Sequence, residues 1–352
     1  MPINENAPLV VVPGAIRFNT DSMKLEYYRG GPVGFGTTTT TGEWVNLTTD
    51  SPDIQTGGTR GLFGGGAGAT NVIDYITIST TGNAIDFGDL ITARQRTVSC
   101  SSNTRGLWAG GYVSGPTGLN IIDYVTISST GHAIDFGDTI DTHRDTGAGF
   151  SSQTRGIFNI GGNVTGNTNT IEYITIASTG DAKDFGDLSF TRDRLSGTSS
   201  STRGIFFTGI IAGPTTTNVI DFITISTLGN AADFGDVTVG KWHSSASSNS
   251  TRALIGSGVG ADGNITNTID YVTIATLGNA LDFGDLDTGK RIYGSTSSPT
   301  RVVWGGGITP ATTVAAIFYS TISALGNTIS FGDLTSARYG VEGCSNGHGG
   351  LG

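Results

Sequence analysis

The sequence predicts an all-β protein: a six-bladed β-propeller closed by its C-terminal strand and preceded by a small β-meander. Three observations carry this expectation. The phrase NVIDYITISTTGNAIDFGDL (71–90) returns at 120–139, 169–188, 218–237 and 267–286, and in altered form, AAIFYSTISALGNTISFGDL, at 315–334. Each unit, about 49 residues long, divides into four short strand-like segments separated by turn signals, with no sustained helical periodicity. The first unit lacks its opening strand, and the C-terminus supplies one. Repeats of this length with four strands describe propeller blades.

The elements follow in order. Residues 1–55 form a small β domain: IRFNT, a turn at Asp21-Ser22, then KLEYYR, a loose GPVGFGTTTTTG loop and EWVNL. Ile16, Phe18, Leu25, Tyr27 and Trp44 are expected to share one face. So few apolar groups are marginal alone, so this module is expected to dock through Ile16, Arg17, Phe18, Tyr27, Tyr28 and Trp44. Residues 59–352 form the propeller. In each unit the first segment is made of small residues (TVSCSS, GAGFSS, SGTSSS), as innermost strands converging on an axis require. The second segment (LFGGG, LWAGG, IFNIGG) carries bulky apolar groups expected to pack blade against blade. The third reads I-D-Y and the fourth D-F-G-D. At the C-terminus SARYGVEGCSN (336–346) aligns with TARQRTVSCSS (92–102), bringing Cys344 into register with Cys100. Such a strand completes the first blade and removes free sheet edges.

Asp86-Phe87-Gly88 is the tripeptide that holds magnesium in protein kinases, but here it recurs once per unit without the glycine-rich loop, paired lysine or catalytic loop that such chemistry needs. It is expected to be a structural turn. The recurring Thr-Arg arginines (Arg60, Arg105, Arg155, Arg203, Arg252, Arg301) are expected to pair with aspartates around Phe-Gly at blade corners. A calcium site at Asp86, Asp89 and their copies is the alternative, without a DxDxDG loop to favour it.

Composition narrows the function. A net charge of −10 argues against nucleic acid as a partner. No apolar stretch reaches the length of a membrane span, and the first residues lack a basic n-region, so no membrane insertion and synthesis in a cytoplasm are expected. The two cysteines are expected to be free thiols. His132, His143, His243 and His348 show no ligand spacing and read as scattered surface residues. No sialidase box, Walker loop or Ser/His/Asp set occurs, so neither an enzyme nor a cofactor is expected.

The order of small strand, Arg, paired glycines, I-D-Y and an aromatic-capped last strand resembles the kelch repeat over 59–352, with Phe (Phe87, Phe136, Phe185, Phe234, Phe283, Phe331) where kelch has Trp. The wording IDYITI-TTGNA-DFGDL is similar to repeats of virion structural and tail-associated proteins of marine cyanobacterial phages. GAIRFNTDSMKLEYYRG with GEWVNL resembles a short module of phage tail-fibre proteins. The resemblance implies a virion structural protein, tail- or fibre-associated, anchored by its N-terminal domain, with other virion proteins and copies of itself as partners. A capsid decoration protein or a free glycan-binding propeller is the alternative.

The loops after the second strand vary most: AGAT, YVSGPTGLN, NVTGNTNT, IIAGPTTTN, VGADGNITN and ITPATTV. All should emerge on one face, which is where binding sits on a rigid scaffold. Candidate contacts for a host-surface glycan are Tyr112, Thr117, Asn163, Asn167, Thr215, Thr216, Asp262, Asn264, Thr309 and Thr312.

Overall fold

A computed structural model describes residues 16–19, 24–30, 42–46, 59–68, 70–113, 118–143, 145–163, 166–211 and 215–351. The chain divides into two compact units, Met1–Thr56 and Gly57–Gly352.

The first unit is a three-stranded antiparallel meander of Ile16–Asn19, Lys24–Gly30 and Gly42–Asn46. Its register pairs Ile16 with Tyr27 and Phe18 with Leu25, as four of the expected face require. Trp44, however, pairs with Tyr28, and it is Val45 that stands opposite Tyr27. Because residues directly opposite share a side of a sheet, the register assigns Trp44 to the other side. Ile16 is exposed.

The second unit is a six-bladed propeller. Blade 2 shows the strand order: an inner strand Val98–Ser101, then Arg105–Ala109, Leu119–Thr126 and an outer strand Ile134–His143, all antiparallel neighbours. The inner strands touch one another in a closed cycle. Blade 1 takes its inner strand, Glu342–Ser345, from the C-terminus, pairing Cys344 with Leu62 next to Arg60–Gly64. Cys100 pairs with Leu107 at the equivalent place, and both cysteines are buried and free. The expected inner strand over 92–102 is shorter: residues 92–97 form a lead-in turn.

Three hydrogen-bonded cycles explain why the repeat is spelled as it is. Around the axis one serine per blade donates its hydroxyl to the serine carbonyl of the preceding blade: Ser101 to Ser345, Ser151 to Ser101, Ser199 to Ser151, Ser248 to Ser199, Ser297 to Ser248 and Ser345 to Ser297, at 2.5–2.8 Å. A small residue fits the axis, and a hydroxyl satisfies carbonyls that face no ladder partner.

Further out, each Thr-Arg arginine reaches the next blade. Arg60, Arg105, Arg155, Arg203, Arg252 and Arg301 donate from Nη1 to the carbonyls of Ile127, Ile176, Ile225, Ile274, Ile322 and Ile78 at 2.7–2.9 Å. Each guanidinium also lies 4.4–4.7 Å over the aromatic ring of its own blade's third strand, as Arg105 does over Tyr124. The expected pairing of these arginines with the aspartates flanking Phe-Gly is therefore corrected: a planar, multi-donor head suits a carbonyl seam as well as a carboxylate.

At the rim the D-F-G-D tetrad is a β-bulge. In blade 1 Asp86 faces Asp74 and Gly88 faces Ile73, which leaves Phe87 as the extra residue. Phe87 is buried edge-on to Tyr75. Its carbonyl accepts from Gly131 N–H of the next blade at 2.8 Å, and the same bond recurs around the ring through Gly180, Gly229, Gly278, Gly326 and Gly82. The glycine of the tetrad is needed because the neighbouring loop leaves no room for a Cβ.

The buried ion pairs lie elsewhere. The acid of I-D-Y pairs with a basic residue of its own blade's lead-in turn: Asp123 with Arg94 at 3.1 Å, Asp221 with Arg192 at 3.1 Å, Asp270 with Lys241 at 3.3 Å and Asp74 with Arg338 at 3.0 Å. Blade 3 has Glu172 and His143 at these positions. Burial raises the Glu172 carboxyl to about 7 and lowers His143 to about 4, so both are held toward their neutral forms. Blade 6 places Phe318 where the others carry an acid, and Lys290 Nζ sits 4.5 Å over its ring while donating to the Ala316 carbonyl at 3.0 Å.

Candidate functional site

Strands alternate in direction, so the loops between second and third strands and the lead-in turns between blades emerge at the same end of the ring. This loop face gathers the sequence variation.

Lead-in turns meet around the axis. Arg96, Arg194, His243 and Ile292 occupy equivalent positions with φ of 53–56°, and Gly340 takes this place in blade 1 at 69°. Asp145 is the fifth equivalent residue and draws three neighbours: Arg96 Nη1 at 3.0 Å, Arg194 Nε at 2.8 Å and His243 Nε2 at 3.3 Å. Burial alone would raise the Asp145 carboxyl, but the His243 hydrogen bond and charge, with Arg96 and Arg194, hold it well below the ordinary range. Burial lowers His243 to about 4 and raises neighbouring Asp193 to about 6. His143 and His243 are buried, which corrects their reading as surface residues; His348, also expected at the surface, is half-buried, with Nε2 within 3.1 Å of the Ser101 carbonyl at the axis. Only His132, paired with Asp89 at 3.2 Å, is largely exposed.

The expected contact residues fall into three groups. Some are committed to the scaffold. Tyr112 is half-buried, bridged to Gln95 and Gly118, with Arg96 5.3 Å over its ring. Thr309 is buried, and its hydroxyl donates to the Thr312 carbonyl and accepts from the Ala311 and Thr312 N–H groups, so it caps a turn. Thr216 is half-buried in a bridge with Ile210. Others are exposed and tied within their loops. Asn167 donates to the Ile211 carbonyl of the next blade at 3.2 Å, Thr215 accepts from Ile211 N–H through its carbonyl, and Asp262 accepts from Asn264 twice. Thr117 lies outside the described residues, as does the side chain of Asn163, whose backbone pairs with Gly166. Of the N-terminal set, the side chains of Arg17, Phe18, Tyr27, Tyr28 and Trp44 lie outside the described residues too.

The structure brings Asn264, Thr309 and Thr312 together. They line a cleft of about 650 Å³ between the loops of blades 5 and 6. One wall is the hairpin at the end of Arg252–Gly260 and Ile265–Thr273, the longest second and third strands taken together. The other is the turn Thr309–Thr313, with Pro310 and Ala311. Arg291 enters from the lead-in turn of blade 6, its backbone bridged to Ile308. By contrast, the space among the axial serines amounts to about 40 Å³, room only for water.

Sequence reasoning missed Arg291, Arg96, Asp145, Arg194 and Trp242, all in lead-in turns. A signal was present: after the basic residue, QR, RD, DR, WH, RI and YG differ between units as freely as the recognised loops do.

The opposite face differs between halves of the ring. Leu228, Leu277 and Leu325 are exposed in blades 4–6, where blades 1–3 carry Thr81, Thr130 and Thr179.

No protein-family model matches this chain, and no curated protein matches it significantly.

Proposed function

We propose that the chain is a virion appendage protein, tail- or fibre-associated, in which the N-terminal meander attaches to the particle and the propeller's loop face engages carbohydrate on the host surface. The observation that carries the binding role is the distribution of sequence change. The serine, arginine and glycine cycles are repeated almost without alteration, while variation is concentrated in loops and lead-in turns that share one face. A scaffold held constant beneath a varied surface is the arrangement of a recognition protein. Thr, Asn and Gly dominate those loops and supply hydroxyl and amide groups suited to sugar hydroxyls. The virion role rests on the wording of the repeats and of the N-terminal module. On this reading the propeller has no catalytic task.

An assembly role for the opposite face is the second reading, favoured by exposed Leu228, Leu277 and Leu325 on adjacent blades. Its occupant would be a second copy of this chain, and Leu228→Thr, Leu277→Thr, Leu325→Thr in combination should then reduce self-association in sedimentation.

The main test expresses the full chain and the 57–352 propeller in cells producing the particle. Full-length chain in purified particles, with the propeller alone left behind but still staining host cells, is the expected result. A full chain absent from particles would remove the virion reading; a propeller that stains no cell would remove the recognition reading.

A further inference from the structure

We infer that the cleft between blades 5 and 6 binds a carboxylate-bearing sugar, a uronic-acid unit of an acidic surface polysaccharide, with Arg291 as the residue that selects the acid. The inference deepens the recognition role proposed above and rests on it.

The other arginines whose side chains are described all have partners within the fold. Arg94, Arg192 and Arg338 are paired with buried acids, Arg96 and Arg194 share Asp145, and the six Thr-Arg arginines each donate to a carbonyl of the next blade. Among the arginines whose side chains are described, Arg291 is the one that makes neither an ion pair nor a hydrogen bond. Its Nε is buried from solvent without a partner, as are those of Arg94, Arg96, Arg192 and Arg338, but in those four the rest of the guanidinium is paired and in Arg291 it is not. A buried donor left unsatisfied is costly, and native proteins keep such groups where something else completes them.

The surroundings say what that something is. The cleft lining contains no acidic side chain: beside Arg291 stand Asn264, Ile265, Pro310, Thr312 and Thr313. Asp262 lies outside the lining and forms no ion pair with Arg291; its carboxylate accepts from the Asn264 N–H and side-chain amide. Arg291 thus lines an open space whose other lining groups are neutral donors and acceptors with an apolar wall. A guanidinium presents a planar fork that matches a carboxylate in two parallel hydrogen bonds. Asn and Thr side chains suit the hydroxyls of a sugar ring, and Ile265 and Pro310 suit its C–H face. The volume of about 650 Å³ lies in the range of small-ligand sites and leaves room for more than one sugar unit. The chain's net charge of −10 makes a site for an anion a local exception that only a placed cation can create.

The test measures binding of oligogalacturonate and of a neutral maltose oligomer of equal length to the full chain and to Arg291→Gln and Arg291→Lys, by calorimetry at low and moderate salt. Because the Arg291 side chain makes no hydrogen bond or ion pair within the fold, both variants should unfold close to the parent, which separates loss of binding from loss of structure. The expected result is uronate binding at least about tenfold tighter than neutral binding, abolished by Arg291→Gln and partly kept by Arg291→Lys. Equal affinity for the two oligomers, or binding untouched by Arg291→Gln, overturns the acid inference and leaves carbohydrate recognition standing. Binding of neither oligomer also overturns it, while recognition is then decided by cell staining. Sulfated dextran bound through Arg291 in place of uronate assigns the site to another anion and overturns the carboxylate.

Discussion

Replacing Gly186 with alanine should damage the ring far more than replacing Gly229, although the two glycines have almost the same backbone. Gly186 belongs to the D-F-G-D bulge of blade 3 and has φ of 146°; Gly229 lies in the facing loop of blade 4 and has φ of 145°. An alanine at either place carries a backbone cost of about 1–3 kcal/mol. At Gly229 nothing stands within 4 Å of the added Cβ, so that is the whole effect. At Gly186 the Cβ would sit 2.5 Å from the Gly229 carbonyl oxygen and 3.0 Å from Asn230 N. These are backbone atoms, and they cannot swing aside. The blade 4 loop must retreat, and it is held by Gly229 N–H on the Phe185 carbonyl at 2.9 Å, Ala231 N–H on the Asp187 carbonyl at 2.7 Å, and Asp187 N–H on the Asn230 side-chain oxygen at 3.0 Å. Losing two of these bonds at about 1 kcal/mol each brings the total to about 3–5 kcal/mol. Urea denaturation of the full chain, followed by tryptophan fluorescence, compares the pair directly. If Gly186→Ala is no less stable than Gly229→Ala, the tetrad's glycine is not there for the neighbouring blade, and the seam argument is wrong.

Two further outcomes follow from buried groups and from closure. Burial depresses Lys290 from 10.5 to about 7. Between those values the unfolded chain binds a proton that the native chain does not, so stability rises with pH from about 7 to about 10.5 and the penalty is complete below 7. Lys290→Met should therefore be more stable than the parent at pH 7 by about 3 kcal/mol, after allowing about 1 kcal/mol for the lost bond to Ala316, with the gap closing by pH 10; a pH-independent gap in thermal unfolding would contradict this. Ending the chain after Leu334 removes the inner strand of blade 1 and the Ser345 link in the serine cycle. The open edge of Arg60–Gly64 should then cause aggregation or pairing between copies, and a truncated monomer with the parental melting curve would refute closure as the source of stability.

What the sequence disclosed, and what it withheld, follows from the geometry of a ring. Periodicity marks a residue that every blade needs, and that was enough to find the blades, the small axial strands, the C-terminal closure and the structural character of D-F-G-D. Periodicity does not say which neighbour a repeated residue faces. Arg105 acts on the Ile176 carbonyl, 71 residues away, and Asp123 on Arg94, 29 residues back. Both partners recur at the same period, so a wrong pairing fits the spacing as well as the right one. The candidate site was half legible for a related reason. Asn264, Thr309 and Thr312 stood out as loop residues, yet only the fold shows that Thr309 holds a turn and that Arg291, from a segment read as strand, supplies the charge between them.

In a ring of this kind the exceptions carry more functional information than the repeats. A residue present in six copies answers to the ring: the serine, arginine and glycine cycles each fail if one member is lost. A residue that breaks its own periodic position has no such duty. Arg291 stands where other blades have Gln95, Arg144, Asp193, Trp242 and Tyr339. Of these, Asp193 lies against Arg194 and Trp242 stacks with it, so they serve the axial hub. The Arg291 side chain has no hydrogen-bonding or ionic partner in the fold, and the lining of its cleft holds no carboxylate; the acid replaced by Phe318 would have faced Lys290, which lies over that ring instead. A cation kept partly desolvated without an internal partner is stable only if the cost is small or a ligand offsets it, and the unpaired Nε makes the cost real. Blade 6 thus presents in its lead-in turn a guanidinium without an internal partner, which makes its cleft the place on the ring where an external carboxylate has the most to supply.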